Sequence, residues 1–174
     1  KQLLMQSRRT GWAAHDWSRS LAVPIPRAGN KKGLHGKRLI HIFDPMGAAW
    51  MGHTLRRAPA SHEPSWAFGS LPGHSRDEAI ISVLAGSWRC KHRGLSHSVI
   101  YFDASNAFGC TLLHNATAAV DDLIHYHDGH VHKDHINQQV ITVVGADTKC
   151  DLKPSVGVAM GHSVAPRIFV RDYN

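Results

Sequence analysis

VIYFDASNAF, the ten residues from Val99 to Phe108, is the stretch on which this chain turns. Four residues suited to a buried strand, Val99 to Phe102, run straight into an acid, Asp103. A small polar turn, Ala104-Ser105-Asn106, follows, and then Ala107 and the aromatic Phe108. A carboxylate at the end of a dry strand is costly to bury unless a cation meets it. A hard divalent ion, which prefers oxygen donors, is one such cation. The other reading is an Asp that caps a following helix, whose N-terminus favours negative charge. The local sequence leaves both open.

The 174 residues suit one domain with a full core, and 43% of them are hydrophobic. The net charge of +7 favours a polyanionic partner, nucleic acid before membrane. No apolar run approaches the roughly 20 residues of a membrane span. The opening KQLLMQSRRT is too polar for a secretory signal, and the few, unpaired cysteines lead to the expectation of an intracellular, reducing setting. Cys90, Cys110 and Cys150 are far apart and form no CxxC pair, which argues against a zinc ribbon or a disulfide framework.

Local signals predict an α+β protein. Residues 1–20 read as a basic N-terminal segment with a short helix. LAVPIP (21–26) reads as an edge strand because of its prolines, and RLIHIF (38–43) as its return. The loop between them carries Arg27, Lys31, Lys32 and Lys37. Asp44-Pro45 predicts a capped helix start, with the helix over about 46–58. Ser75 predicts a second capped helix, with Ala79, Ile80, Val83 and Leu84 at helical spacing and Gly94 at its end. Leu112 to Ile124 reads as a helix with Ala116, Ala119, Val120 and Leu123 on one side. A second hairpin turns near Gly145-Ala146-Asp147, and a last helix starts near Ser163 to Pro166.

Three blocks stand in a fixed order: VPIPRAGNKKGLHGKRLIHIFDPMGAAW (23–50), WAFGSLPGHSRDEAI (66–80) leading into VIYFDASNAF, and PSVGVAMGHSVAPRIFVRDY (154–173). Together they resemble the fingers and first part of the palm of a reverse transcriptase, an RNA-directed DNA polymerase of the non-LTR retroelement and group II intron type. The resemblance implies right-hand polymerase fingers over 21–98 and a partial palm over 99–174, built on an antiparallel sheet with packed helices. It makes Asp103 the catalytic carboxylate that binds Mg²⁺ or Mn²⁺. It places Ala104 and Ser105 near an incoming triphosphate and Phe108 against the sugar's 2′ position. Arg38 matches an arginine that reaches the triphosphate, a role that suits the fixed fork of a guanidinium. Arg27, Lys31 and Lys32 fall on the hairpin that folds over the nucleotide. Gly157, Met160 and Gly161 fall in the block that approaches the templating pair. The implied partners are an RNA template, a DNA primer and a deoxynucleoside triphosphate, with no membrane.

The chain also departs from that pattern. Met160 stands where the family has Gln, His162 follows Gly161, and SLPGHS puts Ser70 and His74 where arginines are common. The family's paired-aspartate strand has no counterpart within residues 1–174. Polymerases clamp the reacting oxygens with two metals, which one Asp cannot hold, so the resemblance implies that this length of chain is inactive by itself. Asp121 and Asp122 read as a solvated helix face.

Two other functions compete. A basic nucleic-acid-binding module without catalysis needs Arg, Lys and exposed aromatics, and Trp12, Trp17 and Trp50 lie near basic residues. HYHDGHVHKDH (125–135) offers His125, His127, His130 and His132 as ligands for a transition metal, with His135 beyond them. Its simpler reading is a polar connector with a turn at Asp128-Gly129. A Ser/His hydrolase has little support, since no G-x-S-x-G occurs.

Overall fold

The computed structural model describes residues 2–27, 29, 32–33, 36–58, 66–69, 73–102, 107–145, 147–158 and 161–172. The fold is α+β. Contacts divide the chain into two compact units, one formed by Lys1–Ser61 with Phe108–Asn174, the other by His62–Ala107.

The larger unit holds a four-stranded sheet in the order β2-β1-β3-β4. Its strands are β1 (Arg19–Pro26), β2 (Lys37–Phe43), β3 (Val140–Val144) and β4 (Lys149–Leu152). Both expected hairpins form: β1 pairs antiparallel with β2, from Ser20 opposite Phe43 to Pro26 opposite Lys37, and β3 with β4. The sheet is mixed rather than antiparallel, because β1 also pairs in parallel with β3 through Arg19–Ala22. β1 is therefore central, not an edge. Its prolines are tolerated because Pro24 and Pro26 lie beyond Ala22, the last residue paired to β3.

The helices of this unit follow from local chemistry. α1 (Gln2–Thr10) leads into a 3-10 turn at His15–Ser18 that buries Trp17. α2 (Pro45–Arg56) starts as predicted: the Asp44 carboxylate accepts the Gly47 N–H at 2.8 Å, and Pro45 needs no partner in the first turn. α4 (Ala107–Cys110) is one turn, and α5 (Leu113–Leu123) buries Ala116, Ala119, Val120 and Leu123, the predicted face. These pack with Ile136, Val158, Val164 and Ile168 into the main core. α7 (Ala165–Asp172) closes the unit.

The histidine-rich stretch is not a connector. It forms α6 (Tyr126–Asn137), which buries Val131, His132, His135 and Ile136. Those positions share one helix face. Asp128-Gly129, expected as a turn, is the first turn of this helix, where Asp128 complements the positive helix end and pairs with Arg8 at 2.9 Å.

The smaller unit contains α3 (Arg76–His92). Ser75 and Glu78 form a reciprocal capping box, and the chain leaves through two bonds, Gly94 N–H to Lys91 O and Leu95 N–H to Cys90 O. The helix is as expected, but its apolar face is not buried: Ile80, Val83 and Leu84 are all exposed. Val99–Phe102 also departs from expectation. It forms no strand, and Phe102 is 91% exposed. A run of β-prone apolar residues sets a strand's preference, but only a partner's hydrogen bonds make one, and among the described residues none pairs with this segment.

Candidate functional site

Asp103, Ala104, Ser105, Lys31 and Met160 lie outside the described residues, as does the ring of Phe108. Arg27, Lys32 and Arg38 are described and exposed on the β1–β2 hairpin. Arg38 sits opposite Ile25, and the Arg27 N–H donates to Gly36 O at 2.8 Å, which closes the loop. Among the described residues none of these three cations pairs with a carboxylate. Asp121 and Asp122 are surface acids, held by Lys133 at 2.6 Å and by Arg171.

The third sequence block meets the first at Gly161 and, at Gly157, the segment just beyond the second. Gly157 has φ +92° and donates its N–H to Thr111 O at 2.7 Å. A Cβ there would lie 2.9 Å from the backbone of Gly109, so two chain segments touch where a side chain has no room. Leu112 and Val156 add an antiparallel bridge. Gly161, at φ +106°, lies against β2: a Cβ would sit 3.3 Å from the Phe43 ring and 3.5 Å from His41 O. The resemblance singled out both glycines; their positive φ explains why glycine stands there, as it does for an ordinary turn glycine.

Between the sheet and α6 lies a cluster that sequence did not foresee as a unit. His132 and His135 on α6 and His162 before α7 are all buried. Ring centroids are 4.7 Å apart for His135–His162 and 6.0 Å for His132–His162. Phe43 packs on His135 and His162, and Trp50 stacks on His132. Burial in this apolar nest disfavours the charged imidazolium. It pushes His132 down to about 3, with help from His135, and His135 down to about 4. His162 is held well below its ordinary range by burial and then by the other two rings, and burial also lowers His41.

The tautomers follow from where the Thr54 proton goes. With that proton on the Met51 carbonyl at 3.0 Å, Thr54 Oγ1 accepts from His132 Nε2 at 2.7 Å. His135 donates to the Trp17 carbonyl. His162 Nδ1 accepts the Val164 N–H at 3.2 Å, which leaves its proton on Nε2. Three buried ring nitrogens then lack a partner among the described residues: Nδ1 of His132, Nδ1 of His135 and Nε2 of His162. They are two acceptors and one donor, not three lone pairs facing one ion. Among the described residues no group of three or more His, Cys, Asp or Glu side chains is arranged to hold a metal ion. The ligand set expected from sequence is split in the same way: His125 and His127 are exposed, His130 is half-buried and His132 faces the core.

The tryptophans divide too. Trp17 is buried and stacks with half-buried Trp50 at 5.7 Å, whereas Trp12 is 71% exposed. Among the described residues no helix is long and apolar enough to cross a membrane. No protein-family model and no curated protein matches the chain.

Proposed function

We propose that the chain is the fingers and part of the palm of a reverse-transcriptase-like nucleotidyltransferase, which binds a template–primer and a deoxynucleoside triphosphate. The observation that carries this reading is the Gly157–Gly109 contact. It brings the glycine block to Gly109, six residues beyond Asp103 in sequence, an approach that supports one block carrying the metal and the other the templating pair. The contact of Gly161 with Phe43 joins the same block to the strand bearing Arg38. In this reading Arg27, Lys31, Lys32 and Arg38 neutralise the triphosphate, and Phe108 screens the sugar. Asp103 holds Mg²⁺ or Mn²⁺, which supplies further charge neutralisation at the phosphates when bound. Enzymes of this class catalyse in-line attack of a primer 3′-OH on the α-phosphate with release of pyrophosphate; residues 1–174, with one such Asp, supply binding, position and charge for that reaction but not its metal pair.

A second reading is a basic nucleic-acid-binding module without catalysis. It draws on Val99–Phe102, which forms no strand among the described residues. Binding of a fluorescent deoxynucleoside triphosphate with and without Mg²⁺ separates the two. The polymerase reading expects Mg²⁺-dependent binding that Asp103→Ala weakens more than tenfold. Binding that ignores both Mg²⁺ and the substitution overturns it in favour of the second.

A further inference from the structure

We propose that the cleft between α1 and α6 is a binding site for single-stranded nucleic acid, in which bases stack on Trp12 and Tyr126 and Arg9 meets a backbone phosphate. The proposal rests on the polyanion-binding reading above and not on its catalytic part.

The cleft is two cavities of about 870 and 510 Å³ that share Arg8, Arg9 and His127. Both volumes fall within the range of ligand sites, about 300–1,000 Å³. The smaller one is lined by Trp12, Tyr126 and His130 as well. Its two aromatics are both exposed, Trp12 by 71% and Tyr126 by 69%. Tyr126 makes edge contacts with His130, at a centroid distance of 4.6 Å, and with His127 at 5.7 Å. Trp12 is flanked by two anchored residues. The Gly11 N–H donates to Ser7 O at 2.8 Å, and the Ala13 N–H donates to the Asp134 carboxylate at 2.9 Å.

Two carboxylates stand at the cleft: Asp134, which lines the smaller cavity and accepts the Ala13 N–H at 2.9 Å, and Asp128. Asp128 is engaged by Arg8 at 2.9 Å, and that pair ties α1 to α6. Among the described residues Arg9 has no carboxylate partner. A guanidinium lining the same cavity as two exposed aromatic rings suits a single-stranded polynucleotide, since every base has a face to stack and every phosphate a charge. A ligand with phosphates but no rings would leave Trp12 and Tyr126 unused. Duplex would hide its base faces from them.

The test uses the full chain with a fluorescein-labelled 12-mer of uridine and the thymidine DNA equivalent, read by anisotropy over a salt series. Trp12→Ala and Tyr126→Ala should each weaken binding about tenfold, as for the loss of one stacked base. Arg9→Ala should flatten the salt slope by about 0.7 log units, the share of one phosphate on a single strand. Circular dichroism of the exposed Trp12→Ala variant should match the parent, which separates loss of binding from loss of fold. RNA preference or equal binding of both strands tells which sugar the cleft takes, and either supports the site. If all three variants bind like the parent, the site is wrong while a polyanion-binding protein remains. If the chain binds no oligonucleotide but takes up an acidic peptide, the nucleic-acid assignment is overturned. Failure of Mg²⁺-dependent nucleotide binding with Trp12-dependent oligonucleotide binding intact overturns the polymerase reading alone.

Discussion

Lowering the pH from 7.5 to 5 should remove a large part of this protein's stability well before its carboxylates titrate. His132 and His135 titrate near 3 and 4 in the folded chain because burial opposes their charge. In the unfolded chain an imidazole titrates near 6.5. The unfolded state therefore binds more protons below about pH 6.5, and stability falls with pH from there down to the folded values. At pH 5 each ring is neutral when folded and protonated when unfolded. That gap costs about 2 kcal/mol per histidine, or about 4 for the pair, against a total of about 5–15 for a typical domain. His162 and His41 are shifted in the same direction and add to the loss. Urea unfolding at pH 7.5, 6 and 5, followed by tryptophan fluorescence and circular dichroism, measures it. His132→Gln keeps a donor at the Thr54 hydroxyl and removes one titrating ring, so its stability should fall less steeply with pH, by about 1 kcal/mol per pH unit between 6 and 5. Equal urea midpoints at pH 7.5 and 5 would refute the buried cluster.

Two substitutions test its surroundings and the glycine contact. Thr54→Val keeps the shape of the side chain but strands the buried His132 Nε2–H, so it should cost about 1–3 kcal/mol in urea unfolding. Gly157→Ala forces a side chain into positive φ and against Gly109 at 2.9 Å. It should cost more than about 1–2 kcal/mol, a fall of several degrees in Tm by calorimetry, whereas an unchanged Tm would mean that the two segments do not touch.

The parts of the fold that were legible in the sequence are those with local causes. Asp44 and Ser75 announce their helices because a cap acts on backbone within three residues of itself. The turn between β3 and β4 and the apolar face of α5 are local in the same sense. Val99–Phe102 was misread because a strand depends on a partner far away in sequence. α6 was misread for another reason. Histidine counts as polar in a periodicity, so a face made of Val131, His132, His135 and Ile136 looks broken until the rings are seen to be neutral and buried. For the candidate site, resemblance drew attention to Gly157 and Gly161, and their φ values explain why glycine stands there. Trp12, Arg9 and Tyr126 gave no common signal, since α1 and α6 meet only in the folded chain.

The parallel pairing of β1 with β3 has a consequence for how the protein is made. Arg19–Ala22 cannot find Val140–Val143 until roughly 120 further residues have left the ribosome, and closing so long a loop is slow. The β1–β2 hairpin, whose strands lie side by side in sequence, is complete long before. During synthesis it waits with one flank unpaired, and that flank is where a chaperone or a wrong strand would dock first.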